Sequence, residues 1–231
     1  MPTARNRAGA LYACRGVSTA IDMTMKTQSP ILNISAGTPI SQKQLSAIGA
    51  EQAAEALIGK LLCKKNADGT VLRARITETE CYCGEEDTAC HAHKGKTPRN
   101  SPLYEAGGIS YVYLCYGIHS LLNIITGKKD HPEGVLIRGI EGASGPGRVT
   151  KALGITLSDN TLPLTPENGL WLEDDGYIPS SIQKLPRVGI DYAEESDRLR
   201  PWRFLDAFSS QPTHSNRTPK SNPPTERSNS K

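Results

Sequence analysis

Glu78, Glu80 and Tyr82 recur at every second position near the end of a thirteen-residue run, Val71–Cys83, rich in β-branched and alternating residues. In a strand, alternate side chains share a face. Parity puts Leu72, Ala74, Ile76, Glu78, Glu80 and Tyr82 on one side and Arg73, Arg75, Thr77, Thr79, Cys81 and Cys83 on the other. A carboxylate at the end of an apolar face must be paired or raised in pKa if it is buried. Such a group is suited to work as a general base. The other reading is that the strand leaves the core at Glu78 and both acids are solvated.

Cys81 and Cys83 are followed by Cys90-His91-Ala92-His93, with Cys115 and His119 further on. Cysteine and histidine at close spacing can hold zinc, but structural sites show paired C-x2–4-C knuckles, and this spacing is not one. On a strand the two cysteines also face away from Glu80. The expectation is no metal, no disulfide, and mostly buried apolar thiols. Lys94-Gly95-Lys96-Thr97-Pro98-Arg99-Asn100 is a basic loop that either holds phosphates or is simply solvated. Tyr111 and Tyr113 share a strand face, Tyr116 falls at a tip beside Gly117, and Gly145-Pro146-Gly147-Arg148 opens a short helix able to receive an anion. Paired aromatics commonly only pack a sheet. Together with cations and a buried carboxylate, they match what an extruded nucleobase needs: faces to stack on, charges for its phosphates and an acid/base group.

The elements that position these residues are short. Gln42–Leu57 has helical spacing, with Gly59 as a plausible C-cap. Lys60–Lys65 and Val71–Cys83 flank the turn Asn66-Ala67-Asp68-Gly69 and form a hairpin. Tyr111–Leu114, Leu121–Thr126 and Gly134–Ile140 are further strands, and a helix runs from Gly145 to Leu153, stopped by Gly154. The pattern is mixed α+β with a largely antiparallel sheet.

Composition bounds the class. The 231 residues carry 27 basic and 24 acidic side chains, and 37% are hydrophobic. The net charge of +3 lies wholly beyond residue 210, so the body is neutral and any anion site must be local. No apolar run reaches the length of a membrane span. Gly and Pro, at 21 and 16, are too many for a helical bundle. Tyrosine supplies 8 of the 12 aromatics, and five of these lie between Tyr82 and Tyr116, which suggests a recognition surface. Residues 1–40 read as a poorly ordered extension, with Met23 or Met25 as alternative starts, 41–208 as the folded domain, and 209–231 as a disordered basic tail. P-loop, Rossmann, nucleophile-elbow and zinc-deaminase patterns are absent.

The order Arg75-Ile76-Thr77-Glu78-Thr79-Glu80-Cys81-Tyr82, Glu86-Asp87, His91, Thr97-Pro98-Arg99-Asn100, Tyr111-Val112-Tyr113 and Tyr116-Gly117 resembles the alkyladenine (3-methyladenine) DNA glycosylase family. It continues through Leu122-Asn123-Ile124, Val135–Arg138, Gly145-Pro146-Gly147 and Arg187-Val188-Gly189, so the resemblance spans Leu45 to Phe204. It implies a single α+β domain with a curved, largely antiparallel sheet flanked by helices. It implies a monomeric, monofunctional hydrolase of base-excision repair, intracellular and without cofactor, that flips an alkylated or deaminated purine from damaged duplex DNA. By position Glu80 matches the general base, with Arg138 and the Val188 carbonyl holding its water. Tyr82, His91, Tyr113 and Asn123 match the base pocket, Tyr116 the side chain that fills the gap in the duplex, and Arg99, Gly147 and Arg148 contacts to the backbone. Ile118 and His119 vary the loop beside Tyr116, Leu205–Phe208 match no motif, and the thiols of Cys81, Cys83 and Cys90 suggest oxidant sensitivity. The rival readings are a catalytically silent lesion binder on the same fold and a Cys/His metal module.

Overall fold

A computed structural model describes residues 37–207. The strands are β1 (Thr38–Pro39), β2 (Leu61–Lys65), β3 (Val71–Cys83), β4 (Ser110–Cys115), β5 (His119–Ile125), β6 (Glu133–Ile140), β7 (Ala143–Ser144), β8 (Leu170–Asp174), β9 (Ile182–Leu185) and β10 (Arg203–Asp206). The helices are α1 (Gln42–Ser46), α2 (Ala50–Ala56), α3 (Pro146–Leu153) and α4 (Glu195–Arg198), joined by three short 3-10 turns. The expected tails lie outside the described residues, except 37–40, where β1 pairs with β8 and Ile40 is buried.

Every strand pairing is antiparallel, in the order β1-β8-β2-β3-β6-β5-β4, with β10 bridging β3 and β9 and with β7 on β6. The fold is thus the expected α+β domain on a largely antiparallel, open sheet. The β2–β3 hairpin closes through its Asn66–Gly69 turn, where Asp68 accepts from the Thr70 N–H at 2.9 Å and Gly69 takes φ +85°.

The single helix expected over 42–57 is two. Ser41 and Gln44 form a capping box that starts α1. The carbonyls of Leu45 and Ile48 both accept from the Gly127 N–H, at 3.1 and 3.0 Å. Those carbonyls are therefore not available to continue the helix. A fresh start follows at Ala50, whose N–H donates to the Glu133 carboxylate at 2.7 Å. The buried alanines of α2 let it lie close to β3, close enough for the Thr79 hydroxyl to donate to the Ala54 carbonyl at 2.7 Å. α2 and α3 cover one face of β3, β5 and β6 and enclose a core that includes Leu57, Ile76, Leu122, Ile137, Val149 and Phe204. The opposite face of the same strands is left to the loops, and there the candidate residues gather.

Candidate active site

β3 changes faces halfway along. On one edge it pairs with β2 from Val71 to Arg75 and then with β10 from Glu78 to Glu80. On its other edge, against β6, the register slips on both sides of Glu78. Ile76 and Cys81, five residues apart, consequently both enter the helix-covered core, and so does Ile137 opposite Thr79. The continuous face from Leu72 to Tyr82 that parity suggested is therefore broken by a bulge. Gly139 permits it: a β-carbon there would lie 2.9 Å from that of Glu78. Beyond the bulge Glu78, Glu80 and Tyr82 do share a face. Solvated carboxylates are ruled out, because Glu80 is 0% and Glu78 6% exposed.

Pairing registers draw one row across five strands: Arg203, Glu80, Leu136, Asn123 and Tyr111. At about 4.8 Å per strand the Glu80 and Tyr111 backbones stand about 14 Å apart. Glu80 Oε1 accepts from the Val188 N–H at 2.8 Å, with Arg138 Nη1 3.6 Å away. Oε2 accepts from the Tyr82 hydroxyl at 3.0 Å. Burial raises the Glu80 pKa, and Arg138, the Val188 N–H and the Tyr82 hydroxyl partly oppose it. Arg138 does not point at Glu80 alone. Its Nε donates to Glu78 at 3.1 Å, and Glu78 also accepts from Arg203 Nη1 at 2.9 Å. Glu78 is thus the fixed counter-ion that aims Arg138. The Val188 contact seen here is made by its N–H, not by the carbonyl that the resemblance singled out.

Arg187 and Asp87, both 0% exposed in their side chains, form a two-pronged ion pair at 2.6 and 2.8 Å. Arg187 also donates to the Cys81 carbonyl at 2.9 Å. This pair fastens the 186–190 loop to β3 and so carries Val188 to Glu80. The Arg187 guanidinium lies between the rings of Tyr82, at 4.7 Å, and Trp202, at 5.1 Å. One face of Tyr82 is therefore covered by a cation, and a stacking partner must approach the other.

His91 and Tyr113 supply the facing aromatic wall, with ring centres 4.6 Å apart, and Tyr111 stands 5.3 Å from Tyr113. His91 Nδ1 is 3.1 Å from the Tyr111 hydroxyl. The residue as a whole is open to solvent, yet its ring nitrogens lie between aromatic neighbours, and this burial, with Arg99, lowers its pKa. The imidazole is therefore neutral at pH 7. Asn123 is buried and its amide donates to the Tyr111 carbonyl at 3.3 Å.

At the β4–β5 tip, Tyr116 (φ +50°) and Gly117 (φ +71°) form the centre of a tight turn, closed by Ile118 N–H to the Cys115 carbonyl at 3.1 Å. Positive φ at both central positions is the signature of the hairpin turns that follow strand twist. A bulky residue there is strained. Tyr116 is 93% exposed and Ile118 75%, so the turn holds two large apolar side chains out in solvent. Arg99 lies beside this tip, donating to the Leu114 carbonyl at 3.1 Å. Gly147 packs against His119, so closely that a β-carbon on Gly147 would lie 3.2 Å from that of His119, and Arg148 is exposed beside it. Pro146 has no N–H and the Arg148 N–H bonds Gly145 at 2.9 Å, so among the described residues only Gly147 can offer a free amide there, fewer than expected.

The structure therefore brings Glu80, Arg138, Val188, Tyr82, His91, Tyr113 and Asn123 to one face, with Tyr116, Arg99, Gly147 and Arg148 along its rim. Asp87, Arg187 and Arg203 complete it and were not singled out by role from the sequence, and Glu78, one of the two carboxylates considered there as a general base, serves instead as a counter-ion to Arg138 and Arg203. One signal was present: Arg187 stands next to Val188. The cysteines do not look reactive. Burial pushes Cys83 and Cys90 up to about 12 and Cys81 well above the ordinary thiol value, so little thiolate exists for an oxidant to attack.

Comparison with known proteins identifies the family of the chain. Residues 44–143 and 141–210 match the profile of the methylpurine-DNA glycosylase family. A protein of Psychrobacter cryohalolentis is 41% identical over 186 residues, covering 68% of this chain and 86% of its own. One of Methanocella arvoryzae is 42% identical over 188 residues, covering 73% and 92%. One of Borreliella burgdorferi is 41% identical over 163 residues, covering 65% and 87%. Each is named "Putative 3-methyladenine DNA glycosylase".

Proposed function

The chain belongs to the methylpurine-DNA glycosylase family, and from that premise we propose that it excises alkylated or deaminated purines from duplex DNA by hydrolysis. The observation that carries this reading is the fully buried Glu80, raised in pKa, on the same face as the Tyr82, His91 and Tyr113 rings. A flipped purine stacks on the free face of Tyr82 against His91 and Tyr113. In this reading His91 adopts the tautomer in which the Tyr111 hydroxyl donates to Nδ1, 3.1 Å away, so that Nε2–H serves as a donor to the base. Asn123 stands at the pocket floor and rejects an exocyclic amine.

Glu80 takes a proton from water as that water attacks the sugar carbon and the purine leaves with the bonding electrons. The departing base leaves positive charge on the sugar, which the Glu80 carboxylate stabilises in a site shielded from solvent. Arg138 opposes the effect of burial and so favours the ionised carboxylate, while Glu78 holds Arg138 in place. Tyr82 must release Oε2 for water to reach it, and stacking of the base against its ring supplies the displacement. Tyr116 enters the gap in the duplex, and Arg99, Gly147 and Arg148 hold the flanking phosphates.

In this reading the nucleophile is the water activated by Glu80 and no lysine joins the reaction, so the strand is left uncut. The protein acts as a monomer on intracellular DNA. The test uses end-labelled duplexes containing 3-methyladenine, hypoxanthine or 1,N6-ethenoadenine. Strand breaks that appear only after alkali support a monofunctional glycosylase. Breaks without alkali overturn that part, and tight lesion binding without any product makes the protein a silent binder.

A further inference from the structure

On the face of β3 opposite Glu80 and Tyr82, the C-terminal end of that strand meets the β5–β6 connection and the start of α2. Cys83 closes β3 and pairs in register with Glu133, which opens β6. His131 lies two residues before Glu133 on a turn whose N–H bonds the Lys128 carbonyl at 3.2 Å. The Gly84 N–H holds the same turn against β3 through the Pro132 carbonyl at 2.8 Å. One ligand atom each from Cys83, His131 and Glu133 lies within 4.8 Å of the other two. We propose that these three residues form a binding site for a zinc-class divalent ion that clamps β3, the β5–β6 connection and α2 together.

The geometry fits such an ion. Cys83 Sγ and Glu133 Oε2 are 3.6 Å apart. Tetrahedral zinc with bonds of about 2.3 Å to sulfur and about 2.0–2.2 Å to oxygen requires roughly 3.5 Å between those atoms. A thiolate, an imidazole and a carboxylate suit zinc or cobalt and not magnesium or calcium. Glu133 is buried, Cys83 half-buried and His131 exposed, so an ion enters from solvent on the histidine side, where a water completes the fourth position. Glu133 is already oriented by the Ala50 N–H at 2.7 Å, the kind of outer contact that fixes a ligand carboxylate.

Binding replaces the thiol proton, which leaves to solvent, so one thiolate and one carboxylate balance the divalent charge. The Cys83 thiol, pushed up to about 12 by burial and by Glu133, Cys90 and Asp87, stays protonated until an ion displaces that proton. The site differs from the Cys81, Cys83, Cys90 and His91 spacing considered from the sequence: Cys81 and Cys90 are buried in separate clusters. It lies outside the reaction, and its role is structural.

The test is an anaerobic titration of the chelator-stripped full chain with Co²⁺. One equivalent should produce the cobalt–thiolate charge-transfer band and tetrahedral visible bands, and one equivalent of Zn²⁺ should remove them. His131→Ala, on an exposed turn, and Cys83→Ser should each weaken binding roughly tenfold or more. Cys115→Ser should leave it unchanged. Zn²⁺ should raise the melting temperature of the parent but not of His131→Ala. No thiolate band, or a band undiminished in His131→Ala and Cys83→Ser, overturns the assignment.

Discussion

Replacing Asp87 by Asn tests how the 186–190 loop is held. The substitution keeps the shape of a side chain that accepts from Arg187 at 2.6 and 2.8 Å and from the Ala89 N–H at 3.0 Å. Among the described residues it removes the one full charge that pairs with a completely buried guanidinium, and it turns an amide N–H₂ toward another donor. Removing one partner of such a pair costs about 3–5 kcal/mol, a large share of the roughly 5–15 kcal/mol that holds a typical domain folded. At about 2–4 °C per kcal/mol for a chain of this size, the melting temperature should fall by about 6–20 °C. Thermal melts followed by tryptophan fluorescence report it, since Trp202 stacks on Arg187. The double variant Asp87→Leu, Arg187→Met should regain most of the lost stability, because a buried pair replaced by apolar groups is close to neutral. It should not regain activity, because Tyr82 loses the guanidinium beneath it and Val188 its anchor. A single variant that melts within about 2 °C of the parent would refute the reasoning.

Further outcomes follow from Tyr116 and Glu80. Tyr116→Gly should bind lesion duplex less tightly yet stabilise the fold by about 1 kcal/mol, because it relieves the positive φ; urea melts and fluorescence-anisotropy titrations read the two effects. kcat/KM should fall on the acid side as Glu80 takes up a proton, with a midpoint above the ordinary glutamate value of about 4.3; a midpoint at or below that value would mean that burial is not the dominant influence. The same shift fixes a stability effect: the fold binds the Glu80 proton more tightly than the unfolded chain does. The group's stabilising contribution is full below its unfolded pKa and is lost as pH rises through the folded one. Ionised Glu80 is therefore a net cost at pH 7, and Glu80→Gln should melt above the parent there and converge with it in acid.

Much of the fold was legible because local patterns repeat. The strand Val71–Cys83 has the bounds that alternation suggested, and the Asn66–Gly69 turn and the helix closed by Gly154 lie where Gly, Asn and Asp demand special backbone. The β4–β5 hairpin followed from its tyrosines and Gly117. The break between α1 and α2 was not legible, since it arises from Gly127 and Glu133, some eighty residues away in sequence. Strands β1 and β7 to β10 were missed because they are short and their bounds are set by pairing with strands distant in sequence, with one another or, for β7, with the neighbouring β6.

At the candidate site, Glu80 and Tyr82 were recognisable as a pair because the pleat is regular beyond the bulge. The bulge itself depends on the register against β6 and on Gly139, which alternation in β3 alone cannot reveal. The Asp87–Arg187 pair joins residues 100 apart, and nothing local marks either as buried. Glu78 and Glu80 are near-identical in sequence context. Only the three-dimensional partners separate them: two arginines for Glu78, and for Glu80 a backbone N–H, a phenol and one arginine at a longer distance.

The central claim is that the buried Glu80 carboxylate activates the attacking water. Single-turnover base release from a lesion duplex, measured for the parent and for Glu80→Gln alongside binding to the same duplex, tests it most directly. The account predicts a rate at least about 100-fold lower in the variant, with binding unchanged within a few-fold. A variant that releases base within tenfold of the parent rate would contradict it.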